Sequence, residues 1–408
     1  MIIVQLGDIY TIGKEVIKRM SRNKQNTNDK RKKQKKKLIL LMIEIVIVVI
    51  LGVAVYAWSI FGKMDVQDLS DSEVGINEDL SSEALEQLGG YTNIALFGLD
   101  NRSSNNYGSG NSDTIMIASI DNKTKDVKLV SVYRDTYLNV GDNKYSKANS
   151  AYQRGGVKQA VQMLNTNLDL DIKEYVCVDW VALIEAIDAL GGIEIELTSA
   201  EVKHLNKYVK DMSKEIGSES KQVSGSGVKN LTGAQATAYA RIRYTSGNDF
   251  KRSSRQRIVL EAMLNKAKDA DVKTLLNICR DVFDDISTSL KLNEILSLAK
   301  DISAYNIAST TGFPFKMTTE IPKKSDFSNS IVAPVGLSNN VVELHKYLFE
   351  TEDYEPSATV QKINDRIIKD TGVKESAGTI DVNEFNNTAG QTGTDFKVEE
   401  TELESGTE

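Results

Sequence analysis

NIALFGLDNRSSNNYGSGNSDTIMIASIDNKTKDVKLVSVYRD, residues 93–135, decides the fold. It holds three runs of β-branched, aliphatic and aromatic residues, at 93–99, 114–120 and 127–133, separated by polar connections rich in Asn, Ser, Gly and Lys. Such runs read as strands. Short connections favour pairing with the next strand along the chain, so the three form an antiparallel meander. Downstream, 175–180 reads as a strand, 181–190 as a helix stopped at Gly191-Gly192, and 193–197 as a strand. Helical spacing recurs at 156–164, 231–240, 252–268, 272–283, 292–302 and 339–349. Strands interleaved with helices predict an α/β fold, a three-layer α/β/α sandwich around a mixed central sheet.

The meander also places charge. Its first strand ends at Asp100, a polar loop carries Arg102, and the second strand opens at Asp113. The third strand ends at Arg134-Asp135. In an antiparallel arrangement all five residues reach one rim of the sheet. Two carboxylates suit Mg²⁺, and flanking guanidinium groups suit phosphate oxygens. The competing reading is a set of solvated charges at strand ends. A second cluster begins at Arg241 and Arg243 in YARIRY, where an extended backbone would point both the same way. On the helix that follows, Asp249, Arg252 and Gln256 share a face through i, i+3 and i+7. Bidentate recognition of phosphate accounts for arginine at this density; an ion-pair network capping the helix is the alternative.

Several function classes drop out. With two histidines, His204 and His345, a Ser-His-Asp or Cys-His hydrolase is disfavoured, and His345 lies among Val341, Leu344 and Leu348 as a structural residue. H-E-x-x-H, G-x-S-x-G, G-x-G-x-x-G and P-loop patterns are absent. Cys177 and Cys279 are too few for a disulfide framework and read as small buried hydrophobes. Carboxylates, arginines and a divalent cation are the parts of phosphoryl transfer, where positioning and charge neutralisation supply most of the catalysis.

Outward from this core, the chain reads as five parts. Residues 1–37 carry twelve Lys or Arg against Asp8, Glu15 and Asp29, a net charge of +9. They precede LILLMIEIVIVVILGVAVYAWSIF (38–61), long enough and apolar enough to cross a bilayer as a signal anchor rather than a cleaved signal peptide. Basic flanks stay in the cytoplasm, which sends everything after Phe61 outside. A nucleic-acid tail is the rival for the basic run, but its place directly before an apolar span disfavours it. The whole chain is −7, leaving −16 beyond residue 37, so any anion site there is a local cluster. Residues 62–90 read as a polar connector, 91–350 as the folded domain, and 351–408 as an acidic, largely disordered tail with a short helix near 358–369.

FGLDNRS, SDTIMIASID, VSVYRDT, KANSAYQRGG, VDWVALIEAIDALGGIEI and LTGAQATAYARIRY with DFKRSSRQR resemble, in order, the motif series of the LytR–CpsA–Psr family. The resemblance runs from about Tyr91 to Leu264. It implies an extracytoplasmic phosphotransferase of cell-wall assembly, joining a glycopolymer from a polyprenyl-pyrophosphate lipid to peptidoglycan through a phosphodiester. Carried over by motif position, Asp100 and Asp113 would hold Mg²⁺, and Arg102, Arg134, Arg241, Arg243 and Arg252 would clamp phosphate oxygens. Asp249 and Gln256 would orient the clamp, Lys147 and Asn149 would line the mouth, and Asp135 would orient Arg134. The family's lipid tunnel between sheet and helices is expected too, though ordinary core and tunnel are not separable in the sequence. Tyr133 stands where the family commonly has Pro. A pyrophosphatase with water as acceptor, or a regulatory attenuator, is the alternative; 37 cytoplasmic residues are too few for an ordinary DNA-binding domain.

Overall fold

The computed structural model describes residues 65–385, apart from 67–68, 71–72, 100–106, 108–109, 216–219, 244–247, 272–273, 276–277, 279–281, 283–285 and 324–329. The expected membrane span at 38–61, Asp100, Arg102, Cys279 and residues 386–408 lie outside the described residues. Among those described, no helix is long and apolar enough to cross a membrane.

The strands, in chain order, are β1 (Asp65–Val66), β2 (Tyr91–Leu99), β3 (Ser112–Asp121), β4 (Asp126–Val132), β5 (Tyr137–Asn139), β6 (Tyr145–Lys147) and β7 (Glu174–Val178). After them come β8 (Ile193–Leu197), β9 (Gly227–Leu231), β10 (Ile286–Thr288), β11 (Asn306–Phe313), β12 (Lys316–Thr318), β13 (Ala333–Pro334) and β14 (Ile380–Asp381). The helices used below are α1 (Ser82–Leu88), α2 (Ser150–Leu168), α3 (Trp180–Ala189), α4 (Ser199–Glu215) and α5 (Gly233–Ala240). They continue with α6 (Asn248–Lys268), α7 (Leu292–Lys300), α8 (Leu337–Phe349) and α9 (Ala358–Thr371).

Seven strands form the central sheet in the order β1-β10-β7-β2-β3-β4-β11. The expected meander is present: β2 pairs antiparallel with β3, and β3 with β4. β7 joins β2 in parallel and β11 joins β4 in parallel, so the sheet is mixed. Side chains along β2 alternate between two cores. Ala95, Phe97 and Leu99 pack with α2, α8 and α9, while Ile94 and Leu96 pack with Leu260 and Leu264 of α6 and Leu298 of α7. A sheet covered on both faces by helices is the predicted three-layer α/β/α arrangement.

A smaller lobe stands on the α6 side. Its strands β8 and β9 pair antiparallel, and α3, α4 and α5 bury Ile187, Ile195, Leu205 and Tyr239 between them. The helix expected from Leu231 starts at Gly233, because Thr232 and Gln235 form a reciprocal capping box there.

Both ends of the domain need correcting. The predicted connector at 62–90 and the predicted tail from 351 are in large part folded. β1 pairs with β10, and Val74 and Leu88 are fully buried. At the other end α9 buries Val360, Ile363 and Ile367 in the main core, and β14 pairs with β12. Asp169 draws the two ends together. Its carboxylate accepts hydrogen bonds from Asn77 Nδ2 (2.6 Å), Ser357 Oγ (2.7 Å) and the Ser357 amide (2.8 Å). The folded domain therefore extends from about 65 to 385.

Candidate active site

Strand register builds the first half of the site. Antiparallel pairing sets Met116 opposite Ser131; three residues further along, the same register sets Arg134 opposite Asp113. The contact follows, with Arg134 Nη1 2.6 Å from Asp113 Oδ1. The first turn of α6 supplies the second half. Asp249 Oδ2 lies 3.2 Å from Arg134 Nε and 3.1 Å from Arg252 Nη2. Arg243 closes the cluster at 3.3 Å from Asp113 Oδ2 and 3.6 Å from Asp249 Oδ1, and Arg252 Nη1 sits 3.9 Å from Asp113 Oδ2. Arg252 also donates from Nη2 to the Asp113 carbonyl at 3.1 Å.

Depth separates these arginines. The Arg252 side chain is 4% exposed and that of Arg243 41%, so the cluster runs from the interior to an open mouth. Burial pushes Arg252 down to about 10 against the attraction of Asp249, which leaves it charged at neutral pH. Burial also opposes the charge on Arg134, but Asp249 and Asp113 more than offset this and raise its pKa.

Beside the cluster lies a polar cavity of about 140 Å³ lined by Asp113, Arg241, Arg243, Arg252, Gln256, Trp180 and Tyr208. Arg241 is not in an extended segment, as the sequence suggested, but caps the C-terminus of α5 in helical conformation. It still reaches the cavity, because its guanidinium stacks on the Trp180 ring at 5.2 Å from the centroid. Trp180 and Gln256 form a shared wall. Beyond it is an apolar cavity of about 170 Å³ between β2, β3 and β7 on one side and α3 and α6 on the other, where Leu96, Met116, Val176, Leu183 and Leu260 are among the lining residues.

Of the predicted residues, Asp113, Arg134, Arg243, Asp249 and Arg252 meet directly, and Arg241 and Gln256 line the same cavity. Asp135, Lys147 and Asn149 lie one step back. Lys147 Nζ pairs with Asp135 Oδ1 at 2.9 Å, and the Asn149 amide donates to the Arg134 carbonyl at 3.0 Å, so these three brace the turn that carries Arg134. Trp180 and Asp179 escaped the sequence reading as site residues. Their signal was position: β7 runs parallel to β2 and pairs Val178 with Gly98, so the residues after Val178 emerge at the same end of the sheet as Asp113. Asp179 caps α3 and also lines the apolar cavity, where burial raises its pKa against hydrogen bonds from the Ala182 and Val181 amides.

Arg134, Arg241, Arg243 and Arg252 set four positive charges against Asp113 and Asp249, a local excess of +2. The chemistry that fits such a pocket is a doubly charged anion with several oxygens for the guanidinium forks, carrying an apolar chain. Among the described residues no group of three metal-ligating side chains occurs. Mg²⁺ takes one or two carboxylates together with waters and phosphate oxygens, so Asp113 fits the ion in combination with a bound anion.

Comparison with known proteins agrees. The LytR_cpsA_psr family matches over residues 61–331. The polyisoprenyl-teichoic acid–peptidoglycan teichoic acid transferase TagU of Enterococcus faecalis is 29% identical over 259 residues, covering 62% of this chain and 77% of that one. Its counterpart in Bacillus licheniformis is 30% identical over 202 residues, 49% of this chain and 59% of its own. A solved structure of a Streptococcus agalactiae protein shares the fold at a TM-score of 0.52 and 22% identity, covering 69% of this chain and 95% of that one. With the family match spanning most of the folded domain and every described member of the arginine–carboxylate cluster, this chain belongs to the LytR_cpsA_psr family.

Proposed function

We propose that this chain is a membrane-anchored, extracytoplasmic transferase that moves a glycopolymer from a polyprenyl-pyrophosphate carrier onto peptidoglycan. The observation that carries this reading is the shared wall of Trp180 and Gln256, with an apolar cavity on one side and Arg241, Arg243 and Arg252 on the other. An amphiphile with an isoprenoid chain and a pyrophosphate head matches both halves. Two transferases similar to it in sequence are named for a polyisoprenyl-linked teichoic acid and a peptidoglycan acceptor. The reading extends those substrates to this chain, with the glycopolymer given as a class.

In this reading the acceptor hydroxyl of peptidoglycan attacks the phosphorus next to the glycan. The P–O bond to the lipid phosphate breaks, the hydroxyl proton passes to that leaving phosphate, and the products are a glycan phosphodiester and polyprenyl hydrogen phosphate. Arg134 and Arg243 face the mouth and grip the oxygens on which charge builds, while Arg252 fixes Asp113 and Asp249 from below. Arg241, held on Trp180, takes the oxygens nearest the lipid. By motif position Arg102 would join these arginines on the phosphate oxygens, and Asp100 would share Mg²⁺ with Asp113. Mg²⁺, when bound on Asp113, neutralises pyrophosphate charge. Arg134, Arg241, Arg243 and Arg252, fixed by Asp113 and Asp249, thus form a preorganised oxyanion clamp rather than a covalent relay.

The test is turnover of a glycosylated lipid pyrophosphate with and without peptidoglycan fragments. Phosphodiester product that requires the fragments supports transfer. Release of glycan phosphate at the same rate in both arms would make water the acceptor and the protein a pyrophosphatase. Protease added to protoplasts should digest the domain at 65–385, and protection of that domain would overturn the outward orientation. Titrated alone, Mg²⁺ should bind at least tenfold more weakly than in the presence of geranylgeranyl pyrophosphate, because the +2 excess repels it until the anion arrives. Equal affinity in both conditions would remove the anion-first arrangement.

A further inference from the structure

We propose that Tyr133 and Phe250 form an aromatic clasp that sets the position of Arg134 and Asp249, a positioning role no sequence motif assigned. Each ring is the chain neighbour of one partner in the Arg134–Asp249 ion pair. The rings meet edge to face, with centroids 4.7 Å apart and planes at 70°, the geometry aromatic pairs prefer. The ion pair itself is 3.2 Å long with its side chains 22% and 27% exposed. Both groups of this half-buried pair also bind other partners, Asp113 and Arg252, so the register between the end of β4 and the first turn of α6 depends also on what packs beneath it.

Tyr133 is fixed independently of the ion pair. It is 2% exposed, and its amide donates to the Phe313 carbonyl of β11 at 3.0 Å. Its ring lies against Gly312, where any Cβ would collide with the ring and its hydroxyl. Met317, Val332 and Val382 complete the apolar pocket around it. Phe250 reaches into the same pocket from α6. The sheet thus holds Tyr133, Tyr133 holds Phe250, and Phe250 holds the helix turn on which Asp249 and Arg252 stand. Moving Phe250 leaves the ligand-facing groups present but shifts where they point.

The inference rests on the proposed transfer reaction for its kinetic readout, and a second readout is independent of it. The experiment is a double-mutant cycle in the full-length chain in detergent, with Phe250→Leu and Arg134→Lys alone and together. Phe250→Leu should lower kcat about tenfold, the scale of one aromatic pair, with KM within twofold and the melting temperature within a few degrees. On the Arg134→Lys background the further loss should be under twofold, because the clasp acts through Arg134. The same fold-loss on both backgrounds, or a loss carried by KM, overturns the proposal. Phe250→Met serves if the leucine variant does not fold. Without any ligand, exchange of the Arg134 Nε proton followed by NMR should be faster in the variant than in the wild type, and unchanged exchange also overturns the clasp. If the wild type fails to bind geranylgeranyl pyrophosphate, the transfer reading fails, and the proton-exchange comparison still decides the clasp.

Discussion

Asp113 and Asp249 each face the same three guanidinium groups, those of Arg134, Arg243 and Arg252. Planar forks match phosphate oxygens at two points, whereas lysine offers one compact charge. Arg134→Lys and Arg243→Lys should therefore keep the fold and lose on the order of 10²–10³ in kcat, with little dependence on salt. Near-normal turnover, or a loss that salt alone reproduces, would reduce these arginines to steering groups. Asp113 behaves differently from the solvated rim charge its place at a strand end suggests. Its side chain is 14% exposed and holds three cations, so Asp113→Ala should cost about 1–3 kcal/mol, between the exposed and buried limits for a broken pair. Added pyrophosphate should raise the melting temperature of that variant more than that of the wild type, since the anion replaces the missing carboxylate.

His345 makes the domain sensitive to acid. It is buried against Tyr354, stacked at 3.6 Å, and its Nε2 donates to the Leu168 carbonyl at 3.0 Å. Burial lowers its pKa from 6.5 to about 4, with the Leu168 hydrogen bond and nearby Asp169 acting the other way. The unfolded chain thus takes up the proton first as pH falls. Stability from this residue is complete above pH 6.5 and declines toward pH 4, by about 3 kcal/mol in all. Thermal melts from pH 7 to 4 should show that decline, and His345→Phe should flatten part of it. A parallel decline in the variant would assign the acid sensitivity to other groups.

Among elements, α5 starts in close contact with α3. Gly233 opens it, and a Cβ there would overlap the Ile184 carbonyl of α3. Gly233→Ala should cost about 1–3 kcal/mol through overpacking and weaken anion binding by moving the helix end that carries Arg241; an unchanged denaturation midpoint would contradict this contact. Much of this level was legible in the sequence. β2, β3 and β4 show their period, and α6 presents Asp249, Arg252 and Gln256 on one face as the spacing required. The cluster was legible because strand register alone brings Arg134 to Asp113. β1 and β14 were not, since two-residue strands carry no period. Arg241 was misjudged because α5 runs up to it and it caps that helix, in a sequence that also reads as extended. The Trp180 wall depends on β7 lying beside β2, a pairing between residues about 80 apart that no local pattern encodes.

For the molecule as a whole, the correction at both ends changes what can be removed. Val373 and Val382 are buried, and Ile380 pairs with Met317. Ending the chain after 385 should leave folding and activity intact, whereas ending it after 372 strips the cover from Tyr133 and should lower the melting temperature. Ending it at 350 removes α9 and should leave no soluble domain. Circular dichroism and yield on the three truncations check this, and a well-folded product from the shortest would overturn the boundary drawn through α9.

Asp169 has a further consequence for how the chain is made. Its hydrogen bonds reach back to Asn77 and forward to Ser357, and β1 meets the sheet only through β10, whose residues come more than 200 positions later. A ribosome adding ~5–20 residues per second needs roughly 11–45 s to pass from the end of β4 at Val132 to residue 357. For that interval β2, β3 and β4 are complete while their cover is only partly made: α2, β7 and α6 arrive in turn, and α8 and α9 come last. An unfinished sheet edge pairs readily with other chains, so interrupted synthesis exposes the edges of β2 and β4 that β7 and β11 cover in the finished domain.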